Sequence, residues 1–457
     1  MRGLAAVCRA NRPAAFELSV ENMLLQFLFV LVAILVGARM GGIGLGVMGG
    51  IGLSILVFIF GLEPTSPPVD VMLMIVAVIA AAGCMQAAGG LDLMVRQAER
   101  LLRKHPSRIT LLSPLVTYLF TFVAGTGHVA YSVLPVIAEV ARETKIRPER
   151  PLSIAVIASQ QAITASPISA AVVALLSLLA DYQITLLDIL IICIPSTLVG
   201  VVLGALYSLK VGKELESDPE YLRRLEAGEF TTSTSSVQTA SHSWKAAVSV
   251  GIFILATVLI VLFGSVDSMR KCGDTMLNMP VVIEILMLSA AALILLITRT
   301  DGIKAAQGSV FSAGMQAVVA IFGIAWMGDT FLHGNMAQLR ESIEGVVTAM
   351  PWLFGIALFV MSILLYSQAA TVRALMPLGI GLGISPWLLI AMLPAVNGYF
   401  FIPNYPTVVA AINFDRTGTT RIGKYVLNHS FMVPGLIATI AAVVTGLLLV
   451  QLLGVMH

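Results

Sequence analysis

Residues 109–141 read ITLLSPLVTYLFTFVAGTGHVAYSVLPVIAEVA, an apolar stretch with one polar break at Gly125-Thr126-Gly127-His128. Basic segments close both ends: residues 96–108 carry five Lys/Arg and residues 142–150 carry four. Lys and Arg gather on the cytoplasmic side of membrane proteins, so both ends belong on that side. Each arm is ~15 residues, short of the ~20 that a spanning helix needs across a ~30 Å core. The stretch is therefore read as a re-entrant hairpin that enters from the cytoplasm, turns at the break and leaves on the same side.

The second half repeats this pattern from the other face. Apolar runs 350–366 and 372–384 flank Ser367-Gln368-Ala369-Ala370-Thr371, and their outer ends are uncharged or acidic. Clear spans lie at about 23–38, 41–61, 71–90, 189–209, 246–264, 280–298, 307–330 and 425–453. Each half adds one broken span, at Ala165-Ser166-Pro167-Ile168-Ser169 and at Ile402-Pro403-Asn404-Tyr405-Pro406-Thr407. The expected fold is an all-α polytopic membrane protein with ten crossings and two re-entrant hairpins. Composition agrees: of 457 residues, 58% are hydrophobic and 11% charged, with mean hydropathy +0.94. A soluble domain carries ~25% charge. Continuous apolar blocks exclude a strand barrel, and a net charge of +2 leaves no basic footprint for nucleic acid.

Basic residues cluster in 96–108, 142–150, 210–245, 299–304 and 416–424, which makes these loops cytoplasmic and puts both termini outside. The chain then divides into a first repeat, 23–209, a polar cytoplasmic linker, 210–244, and a second repeat, 245–457, of inverted topology. Residues 1–22 carry charges and no signal-peptide pattern, and are read as an extension ahead of the true start. The amphipathic stretches 91–105 and 331–348 are expected to lie as linking arms at the two interfaces. Cys8, Cys84, Cys193 and Cys272 share no ligand or redox spacing, so neither disulfide nor metal site is expected. Gly41-Gly42-Ile43-Gly44-Leu45-Gly46 lacks a βαβ context and suits close helix packing.

Broken helices in lipid are tolerated only where they line protein or a water-filled cavity. Paired breaks from two inverted repeats are the expected pointer to a transporter's binding site, where half-helix N-termini favour anions. The candidate substrate-binding residues are Gly125, Thr126, Gly127 and His128 at one hairpin tip, and Ser367, Gln368 and Thr371 at the other. Ser166, Ser169, Asn404, Tyr405 and Thr407 come from the broken spans. Each of these polar groups alone is explained equally well by satisfaction of a turn. Arg373, two residues past the second tip, is a guanidinium at bilayer depth that either grips a carboxylate bidentately or pairs structurally. Asp329 and Glu139 are candidates for proton coupling, with an interfacial cap or ion pair as the alternative for each.

Gly125-Thr126-Gly127-His128, Ala165-Ser166-Pro167-Ile168-Ser169-Ala170, Trp326-Met327-Gly328-Asp329-Thr330, Tyr366-Ser367-Gln368-Ala369-Ala370-Thr371 and Thr417-Gly418-Thr419-Thr420-Arg421-Ile422-Gly423-Lys424 together resemble the anaerobic C4-dicarboxylate transporter (Dcu) family, DcuA-like branch. The resemblance runs from about Met23 to the C-terminus. It implies exchange of fumarate, L-aspartate or L-malate against succinate across the bacterial inner membrane, without a cofactor and without enzymatic activity. Pro403-Asn404-Tyr405-Pro406 departs from the family's Pro-Thr-Tyr-Pro. Asn still donates and accepts hydrogen bonds, so a binding role survives while substrate preference is opened.

By resemblance to inverted-repeat transporters of elevator type, 109–209 and 350–455 would move as a transport domain. Residues 23–90 and 246–335 would form the scaffold and a homodimer contact. The rivals are a Na+- or H+-coupled uptake carrier for another di- or tricarboxylate, an ion channel, and a sensor-kinase partner acting through the linker. No phosphate loop, zinc motif or nucleophile elbow is present in the sequence to suggest an enzyme.

Overall fold

The computed structural model describes residues 20–40, 43–67, 69–227, 244–273, 275–350, 352–365, 367–403, 405–425 and 427–454. The first half opens with α1 (Val20–Met40), α2 (Gly44–Ser54) and its π-helical end Ile55–Ile59, and α3 (Val69–Ala87). Gly89, at φ +83, turns the chain 69° into α4 (Gly90–Lys104). That helix buries Leu91, Ala98 and Leu102 on one face and ends in Arg103 and Lys104, as an amphipathic helix should. There follow α5 (Ile109–Ala124), α6 (Ala130–Glu143), α7 (Glu149–Gln161) with a 3-10 extension Ala162–Ala165, α8 (Ala170–Leu178) and α9 (Leu186–Ser208). Thr185 and Asp188 form a capping box that starts α9. In the linker, Asp218 caps α10 (Pro219–Glu226).

The second half runs through α11 (Trp244–Ser265), a minimal ribbon of β1 (Lys271–Cys272) and β2 (Thr275–Met276), α12 (Met279–Thr298), α13 (Gly302–Gln307) and α14 (Ser309–Ala349). It continues with α15 (Trp352–Leu365), α16 (Gln368–Gly381) and α17 (Pro386–Met392), which carries on as a 3-10 segment Leu393–Phe400. It ends with α18 (Pro406–Phe414) and α19 (Met432–Leu452).

The two halves interlock. Helix α9 packs along α19, α8 against α16, and α18 against α6. Helix α5 lies on α7 as α15 lies on Leu393–Phe400. Around this, α2 crosses α14 and α3 packs on α12. Gly49 and Gly323 make the α2–α14 crossing possible: a Cβ on Gly49 would stand 2.4 Å from the Gly323 carbonyl carbon.

The chain is a helical, multi-pass membrane protein. By length and composition, six helical runs among the described residues can cross a membrane, or seven if the bent α3–α4 pair counts as one. That is fewer than ten, because several apolar runs are shorter: Asn22–Ile34, Gly46–Ile59, Trp352–Ile363 and Pro386–Phe400. The first hairpin arm is longer than expected. A 3-10 turn at Pro106–Arg108 joins α5 into a 19-residue run, Pro106–Ala124, long enough by itself to cross. The final helix begins at Met432 rather than 425. The expected arm 331–348 is not a separate element: α14 is continuous over 41 residues. With no proline between Pro280 and Pro351, nothing forces a break, and α14 reaches about 60 Å.

Candidate functional site

The first break falls at Gly125–Gly127 as expected, whereas the second is confined to the junction ahead of Gln368 rather than spread over 367–371. Gly125 ends α5 in the left-handed region at φ +69, and its N–H donates to the Thr121 carbonyl at 2.8 Å. A Cβ there would also lie 2.9 Å from Ile168 Cγ1, so the hairpin tip rests directly on the break of the first broken span. Gly127 presses on Gln160: its Cβ would fall 2.4 Å from Nε2. Thr126 is half-buried beside them, and His128 contributes backbone to the turn Gly127–Val129 while its side chain lies outside the described residues.

The serines hold the breaks. Ser166 Oγ donates to the Phe122 carbonyl at 2.7 Å, tying the broken span to α5. Ser169 caps α8 by accepting from Val172 N at 3.2 Å and donates to the Ile163 carbonyl at 2.5 Å. Ser367 caps α16 in the same way, accepting from Ala370 N at 3.2 Å. Thr371 Oγ1 donates back to the Ser367 carbonyl at 2.8 Å. Gln368 and Thr371 therefore stand in the first turn of α16, not in an extended tip.

Between the halves lies a cluster of buried amides that the sequence reading did not single out. Gln368 Nε2 donates to Gln160 Oε1 at 2.8 Å and to Asn397 Oδ1 at 3.2 Å. Asn397 Nδ2 reaches Gln161 Oε1 at 3.2 Å, and Gln161 Nε2 reaches Thr439 Oγ1 at 3.0 Å. Ser362 Oγ accepts the Gly398 N–H at 2.7 Å beside them. Gln160, Gln161, Gln368 and Asn397 are each at most 6% exposed. The available signal was two adjacent Gln within an otherwise apolar span and an Asn-Gly pair in another; attention to Gly and Pro breaks passed over both.

In the second broken span, Tyr405 precedes α18 and packs against Tyr399, ring centroids 4.7 Å apart and planes tilted by 58°. It gives α18 no side-chain cap. Thr407, in the first turn, is 1% exposed, and its hydroxyl has no hydrogen-bond partner among the described residues. Asn404 lies outside the described residues.

Arg373 sits on α16 where that helix packs against α14, and Asp329 on α14 feels its charge. The neighbouring backbones meet closely: a Cβ on Gly328 would stand 3.9 Å from Ala374 Cα. On the same turn of α14, Trp326 Nε1 donates to the Thr65 carbonyl at 2.6 Å and Thr330 Oγ1 accepts from Thr65 N at 3.3 Å. The Trp326–Thr330 motif thus grips the loop that follows α2. Glu139 is apart from this group and pairs with Arg142 at 2.6 Å and 3.2 Å.

The Thr417–Lys424 motif builds a different centre. The Asp415 carboxylate accepts from Thr417 N at 2.9 Å, Thr419 Oγ1 at 2.8 Å, Thr420 N at 2.6 Å and the Thr417 hydroxyl. Thr419 Oγ1 also receives Glu149 N at 3.2 Å. The buried Arg147 bridges Glu149 and Asp218, at 2.5 Å each, and so fastens the linker to the first half. Burial pushes the Asp218 carboxyl up, but the Arg147 hydrogen bond and the Tyr221 and Glu220 N–H groups outweigh it and hold its pKa below the ordinary value.

A family model described as anaerobic C4-dicarboxylate membrane transporter matches residues 22–454. The chain is 44% identical over 430 residues to the C4-dicarboxylate transporter DcuA of Escherichia coli strain K12, covering 93% of this chain and 99% of that protein. It is 42% identical over 436 residues to the DcuA of Wolinella succinogenes, covering 94% and 100%. To the anaerobic C4-dicarboxylate transporter DcuB of Escherichia coli O6:H1 it is 40% identical over 443 residues, covering 94% and 99%. With the family model matched over residues 22–454 and relatives 40–44% identical along nearly its whole length, the chain belongs to the anaerobic C4-dicarboxylate membrane transporter family.

Proposed function

We propose that this protein is a secondary transporter that exchanges C4-dicarboxylates across the bacterial inner membrane, with fumarate, L-aspartate or L-malate moving against succinate. The observation that carries this reading is the meeting of two broken helices, one from each half, at a single buried cluster of amides: Gln160, Gln161, Gln368 and Asn397. A dicarboxylate has two separated anionic ends, and such a cluster between two hairpin tips offers neutral donors to both. The names of the relatives point to the same substrate class.

In this reading the chain is an inverted repeat, 23–209 and 245–457, joined by the linker 210–244. The parallel orders α5–α9 and α15–α19, and the mutual packing of α8 with α16 and α6 with α18, support it. The units 109–209 and 350–455 move together as an elevator against a dimeric scaffold of 23–90 and 246–335, with both termini periplasmic. The substrate sits among Gly125, Thr126, Gly127 and His128 at one tip and Ser367, Gln368 and Thr371 at the other. Ser166, Ser169, Asn404, Tyr405 and Thr407 border it from the broken spans. The uncapped start of α18 with its unpartnered Thr407 hydroxyl suits one carboxylate. Arg373 receives the other. In this reading a bound dianion satisfies the Thr407 hydroxyl, which has no partner among the described residues, and only the loaded site crosses, which makes exchange obligatory.

One alternative is a proton-coupled carrier in which a substrate carboxylate engages Arg373 and so frees the nearby Asp329 to take up the proton; Glu139, already paired with Arg142, is the less suited carboxylate. The test is counterflow in proteoliposomes. Labelled fumarate or aspartate should enter rapidly only when unlabelled succinate is inside. Entry independent of internal succinate would replace exchange with coupled uptake, and no entry of either acid would remove C4-dicarboxylates as the substrate.

A further inference from the structure

Residues 421–425 and 427–430 pair with each other at a place apart from the proposed substrate site. Ser430 N donates to the Arg421 carbonyl at 3.1 Å, Gly423 N to the Asn428 carbonyl at 2.6 Å, and Ile422 bridges His429. These segments stand beside the end of α9 at Ser208 and the start of α19 at Met432, so they lie where two apolar spans leave the membrane. Behind them is a cavity of 540 Å³, within the ~300–1,000 Å³ of ordinary ligand sites.

Three kinds of surface line this cavity. Its floor is polar and buried: Arg147, Glu149 and Ser430, already bonded to one another or to Asp218. Its rim is cationic and exposed: Arg421 and Lys424, neither of which has an acidic partner among the described residues. Its edge is apolar: Tyr207 and Val433, 40% and 43% exposed, continuous with the exposed Leu203 one turn before Tyr207 on α9. A soluble anion would use the rim and has no need of the edge. An amphiphile with a negative head uses both.

We propose that this cavity binds the headgroup of an anionic phospholipid. Arg421 and Lys424 hold the phosphate at the mouth, and an acyl chain lies along the exposed face of α9 and α19. The bound lipid would pin the loop between α18 and α19, whose Thr417–Thr420 turn wraps Asp415 and contacts Glu149. The inference rests only on α9 and α19 being in the membrane, not on the substrate or on exchange.

The test titrates the purified full-length protein in detergent with phosphatidylglycerol, with phosphatidylcholine of the same acyl chains, and with inorganic phosphate, following the unfolding temperature. Phosphatidylglycerol should raise it saturably while the other two do not. In Arg421→Gln/Lys424→Gln the apparent affinity should fall about 30-fold, and in Lys424→Gln alone about fivefold, as ~1 kcal/mol per cation at an anionic surface implies. The exposed Lys424→Gln variant keeps the test valid if the double variant is less stable without lipid. Equal stabilisation by phosphatidylcholine would overturn the headgroup, equal stabilisation by phosphate would make the occupant a soluble anion, and unchanged affinity in both variants would overturn the site.

Discussion

Asn397 donates its side-chain N–H to the Gln161 carbonyl oxygen at 3.2 Å, and the two residues stand at the same offset from the helix start that follows each. Each stands eight positions before the N-cap of the second part of its broken span, Ser169 for Gln161 and Tyr405 for Asn397. Both are 0–1% exposed. Removing one partner leaves the other amide buried and unsatisfied, at about 1–3 kcal/mol. Gln161→Leu and Asn397→Leu should each lower stability by that amount, and the double variant by less than their sum. Chemical unfolding in detergent of the four proteins measures the coupling.

Arg373 and Asp329 are charges on helices that pack together, and Asp329 lies within the field of Arg373. Arg373→Ala should abolish counterflow and also remove a cation that offsets the Asp329 charge, destabilising the protein by about 1–2 kcal/mol. Adding Asp329→Asn should restore stability without restoring transport. Recovery of counterflow in the double variant would show that Arg373 serves only to neutralise Asp329.

Gly125→Ala puts a side chain at φ +69 and 2.9 Å from Ile168 Cγ1. A left-handed conformation alone costs about 1 kcal/mol, and the contact adds to it. The variant should unfold at a lower temperature and bind substrate more weakly, because the tip can no longer rest on the broken span. Gly383→Ala, also at positive φ but with open space around it, should show the strain alone.

The linker anchor is acid-sensitive. The folded pKa of Asp218 is held below its ordinary value, so its ion pair with Arg147 contributes fully above about pH 4 and is lost as pH falls through the lowered value. Protease cleavage after residues 210–227 should therefore accelerate only in acid for the wild type. In Asp218→Asn it should be fast at neutral pH as well.

The sequence by itself determined the membrane class, the four breaks and the family. Long apolar runs, Gly and Pro at fixed offsets, and basic loops are local signals, written in consecutive residues and independent of what packs on them. The serine caps are local as well, since Ser169 and Ser367 act on backbone three residues away, but the sequence reading assigns both residues to substrate contact instead. Tertiary structure alone decided the rest. Gln160 and Gln161 read as two polar residues in a span until α7 meets Gln368 and Asn397 from more than 200 residues on. Asp329 and Arg373 became neighbours because α14 packs on α16, and the separate interfacial arm vanished because backbone hydrogen bonding carries α14 through to Ala349. Breaks are properties of a chain segment, whereas a buried polar group finds its partner only when distant helices exclude water together.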